Sequence, residues 1–152
     1  MNKTPQLPVI GAEQIALLEK LSNAVGLSGD EGEIRAIVLE QIKPLADELK
    51  IDALGNILAI RKAKKPGALK VMLAAHMDEI GFMLVDGNDD GQFSFALVGG
   101  IDERQLVGKT VWVGKEHHPA VIGAKPIHLQ EHGEEEHAIP LEALRIDLGP
   151  AG

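Results

Sequence analysis

The sequence predicts an α/β fold in two parts. Residues 1–80 form a helix-and-sheet part, and residues 81–152 a small, mostly antiparallel, barrel-like β part. Three observations carry this. Apolar residues recur at helical spacing through the first third of the chain. A nearly unbroken apolar run, Leu69–Ala75, then has the composition of a strand covered on both faces of an α/β sheet. From Gly81 onward, short apolar stretches alternate with glycine turns, the texture of a small antiparallel barrel or sandwich without helices.

Taken in order, residues 1–10 carry two prolines and form a loose leader. A helix is expected over Ala12–Val25, with Ile15, Leu18, Leu21 and Val25 on one face and Gly26 as its stop. Ser28-Gly29-Asp30 opens a second helix, Asp30 and Glu33 have the spacing of a capping box, and Ile34, Ile37, Val38 and Ile42 line one face up to Pro44. Leu49–Asp52, Ile57–Ile60 and Leu69–Ala75 are expected strands, the first two joined by a turn at Ala53–Asn56. In the β part the expected strands are Gly81–Val85, Gln92–Val98, Thr110–Val113 and Ala120–Ile122, and Glu131–His137 is a polar loop. A domain boundary falls near residues 79–84. The run Leu69–Ala75 needs layers on both faces, yet only two helices precede it and none clearly follows, so the α/β part is short of partners.

Composition narrows the function. Net charge is -8, which disfavours nucleic acid because phosphate contacts need clustered Lys and Arg. The one basic stretch, Arg61–Lys65, precedes Pro66-Gly67 and reads as a solvated turn. With no cysteine, a metal would have to be held by His, Asp, Glu, water or backbone oxygen. No apolar run reaches the roughly 18–20 residues that span a bilayer, and no signal peptide is recognised. The expectation is a cytoplasmic protein without membrane or nucleic-acid partners.

The strongest chemical signal is Ala75–Gly81, AHMDEIG. His76 is expected at the end of a buried strand, where ligand sites of α/β sheets form. Asp78 lies two residues on and can share its face. A carboxylate beside an imidazole fixes its tautomer and raises its basicity as a metal ligand; the same pair also suits a buried histidine satisfied by an acid. His117, His118, His128, His132 and His137 fall in predicted turns without ligand spacing, and Glu134–Glu136 is solvated charge. There is no nucleophile elbow, P-loop or dinucleotide fingerprint. Ser22, Ser28 and Ser94 have no evident histidine partner, and no marked carboxylate pair suggests a glycosidase.

Several motifs now fall into one frame: Leu27–Glu31, Asp52–Asn56, Ala74–Leu84, Val98–Gly100, Val121–Leu129 and Ile146–Gly149. In this order they resemble the glutamyl and tetrahedral aminopeptidases, a family of dinuclear metallopeptidases also labelled cellulase M or endoglucanase. The resemblance implies an α/β catalytic domain holding two divalent metal ions, zinc or cobalt, with a small β domain inserted that builds dimers and larger assemblies. Residues 1–80 would be the N-terminal part of the catalytic domain and 81–152 the inserted dimerisation domain, or part of it. His76 matches a metal ligand and Asp78 the catalytic acid that orients it. The bridging Asp, the Glu-Glu pair with the general base, a further Asp and a final His match nothing here.

The first expectation is therefore a segment of a metalloaminopeptidase that releases N-terminal residues from peptides by metal-activated water, the chain alone being inactive and binding one metal weakly or none. The alternative is a non-catalytic module that self-associates or binds peptides. An endoglucanase is disfavoured by an aromatic content of 3%. A homo-oligomer, dimer or larger, is expected.

Overall fold

The computed structural model describes residues 9–124 and 139–149. The chain divides into two compact units, Met1–Asp78 and Glu79–Gly152. The fold is α/β with antiparallel sheets.

The first unit opens with α1 (Ala12–Asn23), whose start is fixed by the Gly11 N–H donating to Gln14 Oε1 at 2.9 Å. The helix stops before Gly26, and Gly26 has a different task from the expected one. It is buried, and a Cβ there would stand 3.0 Å from Ile34 and 3.2 Å from the Met77 carbonyl. The side chain is dispensed with for close packing. Leu17 and Leu21 pack on Ala24, Ile34 and Ile37, while Ile15 and Leu18 remain exposed, so the buried face is rotated from the expected one.

Helix α2 (Gly32–Ile42) runs into a 3-10 turn, Lys43–Leu45, carrying Pro44. Its N-cap is Glu31, and no side chain caps it, so the expected Asp30–Glu33 box does not form. The Glu31 carboxylate is engaged elsewhere: Oε1 accepts from the Gly29 N–H at 2.6 Å and Oε2 from Arg35 Nη2 at 3.0 Å.

Strands β1 (Glu48–Ile51) and β2 (Ile57–Ile60) pair antiparallel, Ile51 facing Ile57. The turn between them is built by Asp52. Its carboxylate accepts from the N–H groups of Leu54 and Asn56 and from Asn56 Nδ2, each at 2.9 Å, and Gly55 takes the left-handed φ of 87°. Arg35 Nε reaches over to the Gly55 carbonyl at 2.8 Å and ties the turn to α2.

The expected strand Leu69–Ala75 does not form. The segment carries no ladder, and its apolar side chains face solvent, Leu69 at 88% and Leu73 at 94% exposure. A strand needs a neighbour for its N–H and C=O groups, and the only sheet of this unit among the described residues is the β1–β2 pair.

The second unit is a five-stranded antiparallel sheet in the order β3 (Gly81–Gly87), β4 (Gln92–Val98), β7 (Arg145–Asp147), β6 (His118–Gly123), β5 (Thr110–Val113). Sequence reasoning gives no strand at β7, yet this short piece joins the β3–β4 hairpin to the β5–β6 hairpin. Among the described residues no pairing links β3 to β5, so the sheet is open rather than a closed barrel. Its core is Phe95, Leu106, Ala120, Ile122, Leu144 and Ile146, with Phe82 edge-on to Phe95 at 5.1 Å.

Candidate functional site

His76 and Asp78 lie at the end of the exposed apolar segment in the first unit. The structure brings them together. His76 Nδ1 is 2.9 Å from the main-chain carbonyl of Asp78 and 3.3 Å from Asp78 Oδ1. With two acceptors facing Nδ1, the tautomer that this geometry favours for the neutral ring carries its proton on that nitrogen. The His76 side chain is 86% exposed and that of Asp78 42%, so the ring is open to an incoming ion rather than packed in a core. The expected burial of His76 is thus corrected, because the strand that was to carry it does not form and the segment lies exposed.

Asp78 has a further partner. The Ser28 hydroxyl donates to Asp78 Oδ2 across fifty positions of sequence. This bond, followed by the Asp78 main-chain N–H and the His76 ring, holds the carboxyl below its ordinary range, so it stays ionised and is an acceptor only. Ser28 sits in a tight turn in which the Asp30 N–H donates to the Leu27 carbonyl at 2.8 Å and Gly29 adopts φ 93°. Glu31, lowered chiefly by the Gly29 N–H, fixes the turn from the helix side.

Sequence reasoning overlooks the role of Ser28. The Leu27–Glu31 motif is visible in the sequence, but no periodicity couples it to residue 78. Of the remaining histidines, His117 takes φ 53° in the turn before β6, and His118 Nε2 contacts Glu116 Oε2 at 3.0 Å. His128, His132 and His137 lie outside the described residues. Among the described residues no group of three or more His, Cys, Asp or Glu could hold a metal.

An imidazole whose Nδ1 is engaged by a carbonyl and a carboxylate, with Nε2 left open, has the donor chemistry of one ligand of a metal centre. It does not make a whole centre, since catalytic zinc typically has three protein ligands and water.

The chain belongs to the M42 glutamyl aminopeptidase family, whose model matches residues 55–151. It is 34% identical over 137 residues to the lysyl aminopeptidase of Pyrococcus furiosus, covering 88% of this chain and 39% of that protein. Its fold matches the TET aminopeptidase of Thaumarchaeota archaeon SCGC AB-539-E09 with TM-score 0.82 and 29% identity, over 92% of this chain and 40% of the other. A TET peptidase of Pyrococcus horikoshii that assembles into a tetrahedron or a large octahedral shell matches with TM-score 0.74 and 35% identity, over 91% and 41%. The chain thus spans about two fifths of the length of these relatives.

Proposed function

We propose that this chain is the part of a metal-dependent aminopeptidase that contributes His76 as a metal ligand and Asp78 as the residue orienting it, within a cytoplasmic protein acting on peptide N-termini. The observation that carries the reading is the His76 Nδ1 pair of contacts, at 2.9 Å and 3.3 Å, in a chain of the M42 family. Two divalent ions, zinc or cobalt, are the cofactors of this reading, and bound metal would supply an activated water and a polarised substrate carbonyl. The contribution of this chain is to present Nε2 unprotonated and to hold the ring in place. The remaining ligands, and the cover for Leu69–Leu73, belong to the rest of a whole protein of the relatives' length. Residues 1–80 would then be the N-terminal part of the catalytic domain and 81–152 the inserted domain that pairs copies into a homo-oligomer.

The test is twofold. The chain, given aminoacyl chromogenic substrates with zinc or cobalt, is expected to show no turnover; turnover abolished by His76→Ala would mean the chain completes a site by itself. The intact mass of the native protein is expected well above 16.2 kDa. A native mass of 16.2 kDa would favour the second reading, a non-catalytic association module. That reading rests on the second unit having its own core and an edge strand, β5, that displays Trp112 at 65% exposure.

A further inference from the structure

The Ser28 hydroxyl, the Asp78 carboxylate and the His76 ring form a relay that no catalytic scheme above accounts for. We infer that Ser28 is a positioning residue for His76: by occupying Asp78 Oδ2 it turns Oδ1 toward Nδ1 and so sets the histidine in the tautomer that leaves Nε2 free for a cation. The inference deepens the metal-ligand reading and rests on it for the cation, though the tautomer itself does not.

The geometry supports this from both ends. The Asp78 side chain is short and 42% exposed, so its hydrogen bonds weigh heavily in setting the plane of the carboxylate. The Asp78 side chain meets the Ser28 hydroxyl at Oδ2 and the His76 ring at Oδ1. Anchoring one oxygen fixes the plane of the group, and the other oxygen is then held 3.3 Å from Nδ1, beside the Asp78 carbonyl at 2.9 Å. With Oδ2 free, the carboxylate would rotate into water, and Nδ1 would keep one acceptor instead of two. The imidazole proton would then distribute over both nitrogens, and Nε2 would be blocked for part of the time.

The anchor is itself held. Gly29 at φ 93° forms a turn that few other residues would make, and the Glu31 carboxylate clamps its N–H at 2.6 Å while bridging to Arg35 at 3.0 Å. Arg35 in turn donates to Gly55 at 2.8 Å. The hydroxyl is therefore carried on a braced loop rather than a free one. This gives the Leu27–Glu31 motif a purpose that helix capping does not supply, since Glu31 makes no cap to α2.

The experiment is long-range 1H–15N spectroscopy of the 15N-histidine-labelled chain, with His76 assigned through His76→Gln. It is run at about pH 8.5, roughly two units above the ordinary imidazole pKa. The wild type is expected to show Nδ1 protonated and Nε2 in the unprotonated shift range. Ser28→Ala is expected to give averaged shifts for the two nitrogens, and Ser28→Thr, which keeps the hydroxyl, to restore the wild-type pattern. Cobalt titration should show a Kd about 10-fold weaker in Ser28→Ala, in line with losses of 10–100-fold when an outer partner of a metal-binding histidine is removed. Ser28 is solvent-exposed, so the alanine variant should fold. The inference is overturned if wild-type His76 carries its proton on Nε2, if Ser28→Ala leaves the shifts unchanged, or if Ser28→Thr behaves like alanine. If the shifts change as expected but cobalt binding is indifferent to His76→Gln, Ser28 keeps its role and the metal-ligand reading fails instead.

Discussion

Both units are rich in apolar sequence, the first more so, and they end in different states. In the second, six side chains are buried together, Ile122 among them at 0% exposure, and each sheet strand has at least one neighbour. In the first, the buried apolar side chains among the described residues are Ala24, Ile34 and Ile37, while Leu69, Val71, Met72 and Leu73 lie open and the β1–β2 pair is exposed along most of its length. The difference is where the cover comes from. The β part finds its partners within about seventy residues of chain. The helix-and-sheet part presents a run whose pattern demands two covering layers, and its own helices bury themselves against each other.

This contrast is sharpest under core truncation. Ile122→Ala is expected to destabilise the second unit by about 2–5 kcal/mol, the usual range for deleting a fully buried aliphatic side chain. Gly91→Ala should cost at least about 1–2 kcal/mol, because its φ of 78° is left-handed and a Cβ would lie 2.1 Å from the Gly149 carbonyl. Both should lower the melting of β-sheet signal while helical signal from α1 and α2 is unmoved. Equal loss of both signals would mean the units melt as one.

A second way to sharpen the comparison is association. Exposed contiguous apolar surface marks an interface or an aggregation liability. The chain is expected to sediment as a dimer or larger rather than at 16.2 kDa. Leu69→Ser with Leu73→Ser should shift it toward monomer while changing folding stability by no more than about 0.5 kcal/mol, as both side chains are solvated already. If this pair has no effect and Trp112→Ser does, association belongs to the β5 edge and the second unit is the interface.

The sequence carried local structure well and long-range structure poorly, for a physical reason. Strands Gln92–Val98 and Thr110–Val113 are legible because apolar residues and glycine turns bound them, and Ile57–Ile60 because the Asp52–Asn56 turn precedes it. Strand β7 is three residues long and gets its identity from flanking β4 and β6, a signal absent from Arg145–Asp147 themselves. Leu69–Ala75 has strand composition without a strand's neighbour. At the site, the proximity of His76 and Asp78 is legible from their spacing, whereas Ser28 is not, because a contact across fifty residues leaves no periodic trace.

The smallest expected effect separates the units by acid. In the first unit Asp52 is held low chiefly by the Asn56 side chain, Glu31 by the Gly29 N–H, and Glu40 by Lys20 at 2.7 Å. In the second, Asp102 is lowered to about 2 by Arg104, whose Nη2 is 2.7 Å away. For each, the folded carboxylate is more acidic than the unfolded one, so its contribution to stability is present above the unfolded pKa of about 4 and fades as pH falls through the folded value. With more such groups, and with Asp52 forming the turn that joins β1 to β2, the first unit should lose structure at a higher pH than the second. Glu40 and Asp102 are exposed while Glu31 and Asp52 are half-buried, so salt should shrink the effect mainly at the first two. Circular dichroism between about pH 5 and pH 2 would follow it, with helical signal falling before β signal. Asp52→Asn should flatten the helical curve by removing one titrating group while keeping acceptor oxygen for Leu54 and Asn56. An unchanged curve in that variant would place the acid sensitivity in Glu31 and Glu40, and a β signal that falls first would reverse the ranking of the two units.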